Sequence, residues 1–385
     1  MPAAQSLQAE KGMVISMKIL VTGAKGFIGK NLMAKLKFQD NLEVFAYDTD
    51  TEPSLLETYC REAEFVFHLA GVNRPKNVSE FMEGNFGFTE RLVYYLSKND
   101  NPCPIMYASS IQSDLDNDYG KSKKAAENLL FQYCKKTEAK VLIYQFPNIF
   151  GKWCRPNYNS VIATFCHDIA HDLPIRVDDP DTELKLAYID DTIEELLRGL
   201  YGNETRKGDY CVISQTYMVT LGTIVKLLYS FEKAGIERTI PDMSDGFTKA
   251  LYSTYTSYLP EDKICHSPAI SEDNRGVFME FIRTLNQGQI SVNTIKPGYV
   301  KGNHWHHTKC EKFLVVSGKG VIRLRNYYSD QILTIDVSGD KMTVVNIPAG
   351  FIHNIENLGD TDMVTLIWAN ECFNPEKPDT YYSVV

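Results

Sequence analysis

No run of apolar residues in this sequence approaches the roughly 20 needed to cross a bilayer as a helix. Positive charge is not in excess either: 40 lysines and arginines against 49 aspartates and glutamates leave a net charge of −9. Such a chain lacks the electrostatic footprint of a protein that binds nucleic acid or an anionic membrane. An anionic ligand must then be met by local cations, for which Lys152 and Arg155 in GKWCRPNYN are candidates. The nine cysteines are odd in number and without CxxC spacing, which argues against a disulfide framework or a zinc ribbon and fits the reducing cytoplasm. Internal repeats and low-complexity tracts are missing. The opening MPAAQSLQAEKGMVIS lacks the basic start and long apolar stretch of a secretion signal. Residues 1–16 read as a leader or short disordered arm, with Met17 as the natural start.

What is present suggests two domains, since 385 residues exceed one typical core. From Met17 short β-rich runs (KILVTG, LEVFAYD, FVFHLAG, PIMYASS, KVLIYQF) alternate with helical ones. Residues 79–96 have the periodicity of one continuous helix. This alternation predicts an α/β fold with a doubly wound parallel sheet over 17–258. From about Leu259 the runs turn β-branched and alternating, punctuated by glycine, which predicts an all-β barrel or double-sheet jelly roll over 259–385.

TGAKGFIG places Gly23, Gly26 and Gly29 between the first strand and the first helix. Glycines there permit a tight turn and close approach of the backbone to a pyrophosphate, which the helix N-terminus then favours. Asp48 ends the second strand, where a carboxylate usually accepts from an adenosine ribose, as for NAD. Lys25, inside the loop, could instead meet a 2′-phosphate.

The GxxGxxG spacing, HLAG at 68–71, Asn85, YASS at 107–110 and YxxxK at 119–123 together resemble the extended short-chain dehydrogenase/reductases. The resemblance implies a Rossmann-type sheet and a catalytic set of Ser110, Tyr119 and Lys123, with Ser109 the alternative serine. It implies a dinucleotide held by Gly23, Lys25, Gly26, Phe27, Ile28, Gly29, Asp48, Leu69, Ala70 and Lys123. Four residues are about one helical turn, so Tyr119 and Lys123 share a face. An adjacent ammonium is expected to bring a phenol of pKa about 10 toward the working range.

GYVKGNHWHHTKCEKFLVVSG and PAGFIHNIEN carry a separate chemistry. His304 and His306 alternate, so on a strand both imidazoles face one side, while His307 faces away. With Glu311 and His353 they make a first-row metal site with room for water or substrate. These stretches are similar to the two cupin motifs, although Met342 stands where the second motif usually opens with glycine. The resemblance implies a cupin jelly-roll barrel whose ligands are His304, His306, Glu311 and His353. Zinc suits a non-redox role; iron or manganese would suit an oxygenase.

The whole arrangement resembles capsular-polysaccharide enzymes that join a short-chain reductase to a C-terminal cupin epimerase. That resemblance implies a cytoplasmic, homodimeric, bifunctional enzyme with NADP(H), rather than NAD, and Zn2+. Its UDP-4-keto-6-deoxy-N-acetylhexosamine would be epimerised at C3 and then reduced at C4. The product would be UDP-N-acetyl-6-deoxytalosamine, on the route to UDP-N-acetylfucosamine. Asn148 and Arg155, in FPNIFGKWCRPNYN, are the expected substrate contacts. The alternative is a reductase whose cupin is only a structural or sugar-sensing module.

Overall fold

A computed structural model describes residues 16–284 and 286–385. Apart from Ser16, the expected leader lies outside the described residues. The chain divides into two compact units, one running up to Leu228 and adding Lys249–Leu259, the other made of Tyr229–Thr248 and Pro260–Val385.

The first unit is an α/β domain. Its main sheet contains β1 (Met17–Thr22), β2 (Leu42–Tyr47), β3 (Phe65–His68), β4 (Ile105–Ser110) and β5 (Val141–Phe146). They are ordered β2-β1-β3-β4-β5 and all parallel, with Tyr210–Cys211 and Arg206–Lys207 continuing beyond β5. Ile19, Val21, Phe67, Met106 and Leu142 enter one core, while Leu20, Val66, Ile105, Tyr107 and Ile143 enter another. Covering both faces is what makes these strands read as nearly unbroken apolar runs. The order reverses at β1, which opens the crevice where such sheets take ligands.

Two helices carry the motifs to that crevice. Helix α1 (Phe27–Leu36) follows the glycine turn directly. Helix α2 (Asp118–Thr137) begins at Asn117, whose side chain accepts from Gly120 N at 2.7 Å, so Tyr119 sits in the first turn. Gly120 is needed there, because a Cβ would lie 2.4 Å from the Gln112 carbonyl oxygen. The helix expected at 79–96 is interrupted by a π-helical turn, Met82–Gly87. The turn buries Asn85, which bonds Val72 N at 2.9 Å, Val72 O at 3.1 Å and Ser122 Oγ at 2.9 Å.

The second unit is β-rich. Strands β6 (Gln289–Ile295), β8 (Glu311–Ser317) and β10 (Met363–Ala369) form the middle of one sheet, in the order β6-β10-β8. Strands β7 (Val300–Trp305) and β9 (Phe351–Asn357) lie side by side in a second sheet. Pairing is antiparallel at each of these contacts. Ile295, Phe313 and Met363 from the first sheet share a core with Ile322, Leu324 and Ile355 from the second. Strand β6 inverts the usual pattern: Gln289, Ser291 and Asn293 are buried, whereas Ile290 and Val292 are only partly covered.

Candidate functional site

The glycine turn is built from contacts that only glycine allows. Gly23 has φ +69°, and a Cβ on it would meet Ala70 N at 2.7 Å. A Cβ on Gly29 would lie 2.1 Å from the Gly23 carbonyl oxygen. Asp48 braces the turn, accepting from Lys25 N at 2.7 Å through Oδ2 and from Thr49 N at 2.8 Å through Oδ1. The Lys25 ammonium is paired with Asp50. Buried His68, at the end of β3, lies between Thr22 Oγ1 and Thr89 Oγ1, each at 2.8 Å. Burial lowers its pKa to about 3, so it is a neutral clamp.

A cleft of about 1160 Å³ opens at this turn. Gly23, Lys25, Gly26, Phe27, Ile28, Gly29 and Leu69 line one part of it; Ser110, Tyr119 and Lys123 line another. The Ser110 hydroxyl lies beside the Tyr119 phenol and favours its ionised form, and Ser110 Oγ accepts from Gln112 N at 3.1 Å. Ser109 is bound instead to the fully buried carboxylate of Glu127. Buried Lys123 donates to the Ala108 carbonyl oxygen at 2.9 Å, with its ammonium 5.0 Å from the Tyr107 ring centre. A Cβ on Gly71 would lie 2.9 Å from both that ammonium and Asn85 Oδ1, so glycine leaves room for them.

The electrostatics differ from the sequence expectation at one point. Burial raises the Tyr119 phenol above its ordinary pKa, and the neighbouring Ser110 hydroxyl only partly opposes this. The Lys123 ammonium is engaged by Ala108, and burial brings its own pKa down to about 8 against the opposing charge of Glu127. The phenol is therefore held neutral.

Asn148 and Arg155 line the same cleft. Their segment carries two non-glycine residues at positive φ, Trp153 (68°) and Asn157 (54°). Lys152 is paired with Asp190 at 2.5 Å, while the Arg155 guanidinium sits 5.4 Å from the Tyr158 ring centre. Of the two cations expected to meet an anionic ligand, Arg155 is the one without a carboxylate partner among the ion pairs of the described residues.

In the second unit the donor atoms of His304, His306, Glu311 and His353 all lie within 4.8 Å of one another. Simple strand alternation is interrupted here: a bulge at Asn303 (φ 57°) shifts the register between Gly302 and His304, and His306 lies one residue past the end of β7. His307 is exposed and packs on Trp305 and Tyr381, away from the cluster. Glu311 Oε2 lies 3.2 Å from His353 Nε2 and 3.4 Å from His306 Nε2. All three atoms are buried without a hydrogen-bond partner. Burial resists ionisation of Glu311, yet His306 and His353 beside it hold it well below the usual carboxylate range. Burial, with His353 and His306 adding to it, lowers His304 to about 3. Three imidazoles and a carboxylate converging on one point, with buried atoms left unmatched, are what a divalent metal requires.

Two features near this cluster have no signal in the motifs. Asp379 accepts from the backbone N–H groups of His307, Thr308 and Lys309, which outweigh its burial and keep it well below the usual carboxylate range. The polar face of β6 reaches the same level, since Gln289 and Glu311 both pair with Ala369 across β10.

Known proteins resemble both units. Residues 19–212 match the NAD dependent epimerase/dehydratase family and residues 271–381 the polysaccharide biosynthesis C-terminal domain. A Pseudomonas aeruginosa protein described as UDP-2-acetamido-2,6-beta-L-arabino-hexul-4-ose reductase is 41% identical over 95% of this chain and 98% of its own. The crystal structure of the capsular polysaccharide assembling protein CapF from Staphylococcus aureus superposes with a TM-score of 0.90 and 50% identity, covering 96% of this chain and 100% of that one. The UDP-glucuronic acid 4-epimerase of Bacillus cereus, solved with NAD, shares the fold over 63% of this chain and 96% of its own, at a TM-score of 0.54 and 18% identity. With its glycine turn, its parallel sheet and the full length of its match to CapF, this chain belongs to the NAD dependent epimerase/dehydratase family, in the two-part form that CapF represents.

Proposed function

We propose that this protein is a cytoplasmic, bifunctional sugar-nucleotide enzyme of capsular polysaccharide biosynthesis. Its β-rich unit, read as a cupin, epimerises C3 of a UDP-4-keto-6-deoxy-N-acetylhexosamine. Its α/β unit then reduces the C4 ketone with NADPH. The product is UDP-N-acetyl-6-deoxytalosamine, on the way to UDP-N-acetylfucosamine. The observation that carries this reading is the presence, in one chain, of a serine–tyrosine pair in a dinucleotide cleft and of a buried four-donor cluster. The P. aeruginosa relative, named for reduction of a UDP-linked 4-ketosugar, supports the substrate class.

Bound NADPH supplies the hydride for C4. Tyr119, kept neutral by burial, donates its proton to the ketone oxygen, to which the Ser110 hydroxyl also donates. Lys123, one helical turn along α2, provides the positive charge that steadies the phenolate so formed. The amides at the start of α1 would hold the pyrophosphate of the cofactor. Asp48 already uses both oxygens on Lys25 N and Thr49 N, which supports NADPH over NADH; Lys25 would exchange its Asp50 partner for the 2′-phosphate. Asn148 and Arg155, which line the same cleft, would contact the UDP-sugar.

In the other unit His304, His306, Glu311 and His353 would hold Zn2+, which when bound supplies a Lewis acid for a ketone oxygen. The buried polar face of β6 offers hydrogen-bonding groups to a sugar. One experiment separates the two halves: incubation with the 4-ketosugar nucleotide in deuterated water, with and without NADPH. Deuterium should enter at C3 in both cases, and reduction should occur only with NADPH. Reduction without any exchange would leave the β-rich unit as a structural or sensing module.

A further inference from the structure

The C-terminal segment reaches back onto the four-donor cluster. The main-chain carbonyl oxygen of Asp379 is hydrogen-bonded to Nδ1 of His306. That bond commits the imidazole proton to Nδ1, so Nε2 keeps its lone pair. Nε2 is the atom that lies 3.4 Å from Glu311 Oε2, buried and unpartnered.

The Asp379 carboxylate acts on the adjoining turn. It accepts from His307 N and Thr308 N at 2.8 Å and from Lys309 N at 3.0 Å. Those three amides belong to the link between His306 and Glu311, so one side chain gathers the turn that separates two of the four donors. Beyond Asp379, the strand Tyr381–Tyr382 pairs with Trp305 and His304, and Ser383 N donates to Asn303 O at 3.0 Å. The segment that carries His304 and His306 is thus held by β9 on one side and by the end of the chain on the other.

We propose that Asp379 is a positioning residue for the metal centre: its carbonyl fixes the tautomer of His306, and its carboxylate shapes the turn from His306 to Glu311. The inference rests on the reading of His304, His306, Glu311 and His353 as a metal site. Outer partners of this kind typically change metal affinity about 10- to 100-fold.

The test uses the full chain, with Zn2+ as probe in competition with a chelator of known affinity. Asp379→Ala should lose about 10- to 100-fold in affinity. Asp379→Asn should lose less, because one oxygen still accepts while the new amide group faces N–H donors. NADPH binding should be unchanged in both. Nitrogen NMR of the metal-free protein tests the carbonyl separately from the carboxylate: His306 should be Nδ1-protonated in the wild type and in both variants, which keep the main-chain carbonyl. Wild-type Zn2+ affinity in Asp379→Ala, or a wild-type His306 protonated at Nε2 instead of Nδ1, overturns the proposal. If Asp379→Ala does not fold, the near-isosteric Asp379→Asn decides alone. A folded wild-type chain that takes up no Zn2+ overturns the metal reading itself. Wild type and variants binding alike overturn only the role of Asp379.

Discussion

The Ser110 hydroxyl faces the Tyr119 phenol, whereas its neighbour Ser109 turns the other way, onto the buried carboxylate of Glu127. Successive residues of β4 point to opposite faces, so two adjacent serines have different partners. Ser110→Ala should therefore cut the rate of ketone reduction with little change in melting temperature. Ser109→Ala should do the reverse, because it removes a partner from a fully buried carboxylate. The expected cost is about 1–3 kcal/mol of stability. Rates and denaturation curves for both variants check the split; a Ser109→Ala protein that loses reduction at full stability would exchange the two assignments.

Lys123 sets a pH limit. Burial brings its pKa down to about 8 from an ordinary 10.5, and Glu127, one turn further along α2, opposes that shift. The ammonium is present below about pH 8 and is lost above it. The value of kcat/KM for reduction should accordingly fall as pH rises through 8. Glu127→Gln removes the opposing charge and should move the fall to lower pH. Stability has its own sign: between about pH 8 and 10.5 the unfolded chain binds the extra proton, so this lysine makes folding more favourable as pH rises. A pH profile identical in wild type and Glu127→Gln would remove Lys123 as its source.

The parts of the fold and sites that were legible in the sequence are those with local causes. A strand buried on both faces must be apolar throughout, as in KILVTG, and a turn pressed against Ala70 and Ala24 must be glycine. The metal donors were legible because three of them fall within eight residues. Asp379 was not, since it acts on an amide 72 residues away in the chain and KPDT has no pattern of its own. Nor was the π turn, which has no residue pattern of its own. The rise of the Tyr119 pKa escaped for a related reason: spacing shows that a lysine is near, but not how deeply the phenol itself is buried.

His353 supplies a buried nitrogen without a partner, 3.2 Å from Glu311. His353→Ala should lower metal affinity and loosen the core of the β-rich unit, since binding energy in such sites is also folding energy. Solvent exchange at C3 should be lost with the metal, and NADPH should still bind. Metal content, exchange and cofactor binding are measured on one preparation. Full exchange in demonstrably metal-free protein would reduce the cluster to a scaffold.

Tyr119 offers the sharpest separation of the two activities. Tyr119→Phe removes one hydroxyl and keeps a ring that packs 5.7 Å from Phe81, so the fold should be unaffected. General acid catalysis is worth about 10²- to 10⁴-fold, and reduction should drop by that order. The glycine turn is untouched, so NADPH should bind as before. Deuterium exchange at C3 depends on residues of the other unit and should survive. With NADPH and deuterated water, the variant should therefore accumulate exchanged but unreduced ketone, visible by mass spectrometry as a gain of one mass unit. Near-normal reduction would make Tyr119 merely an aromatic residue in the first turn of a helix. Exchange lost together with reduction would show instead that the two units do not act independently.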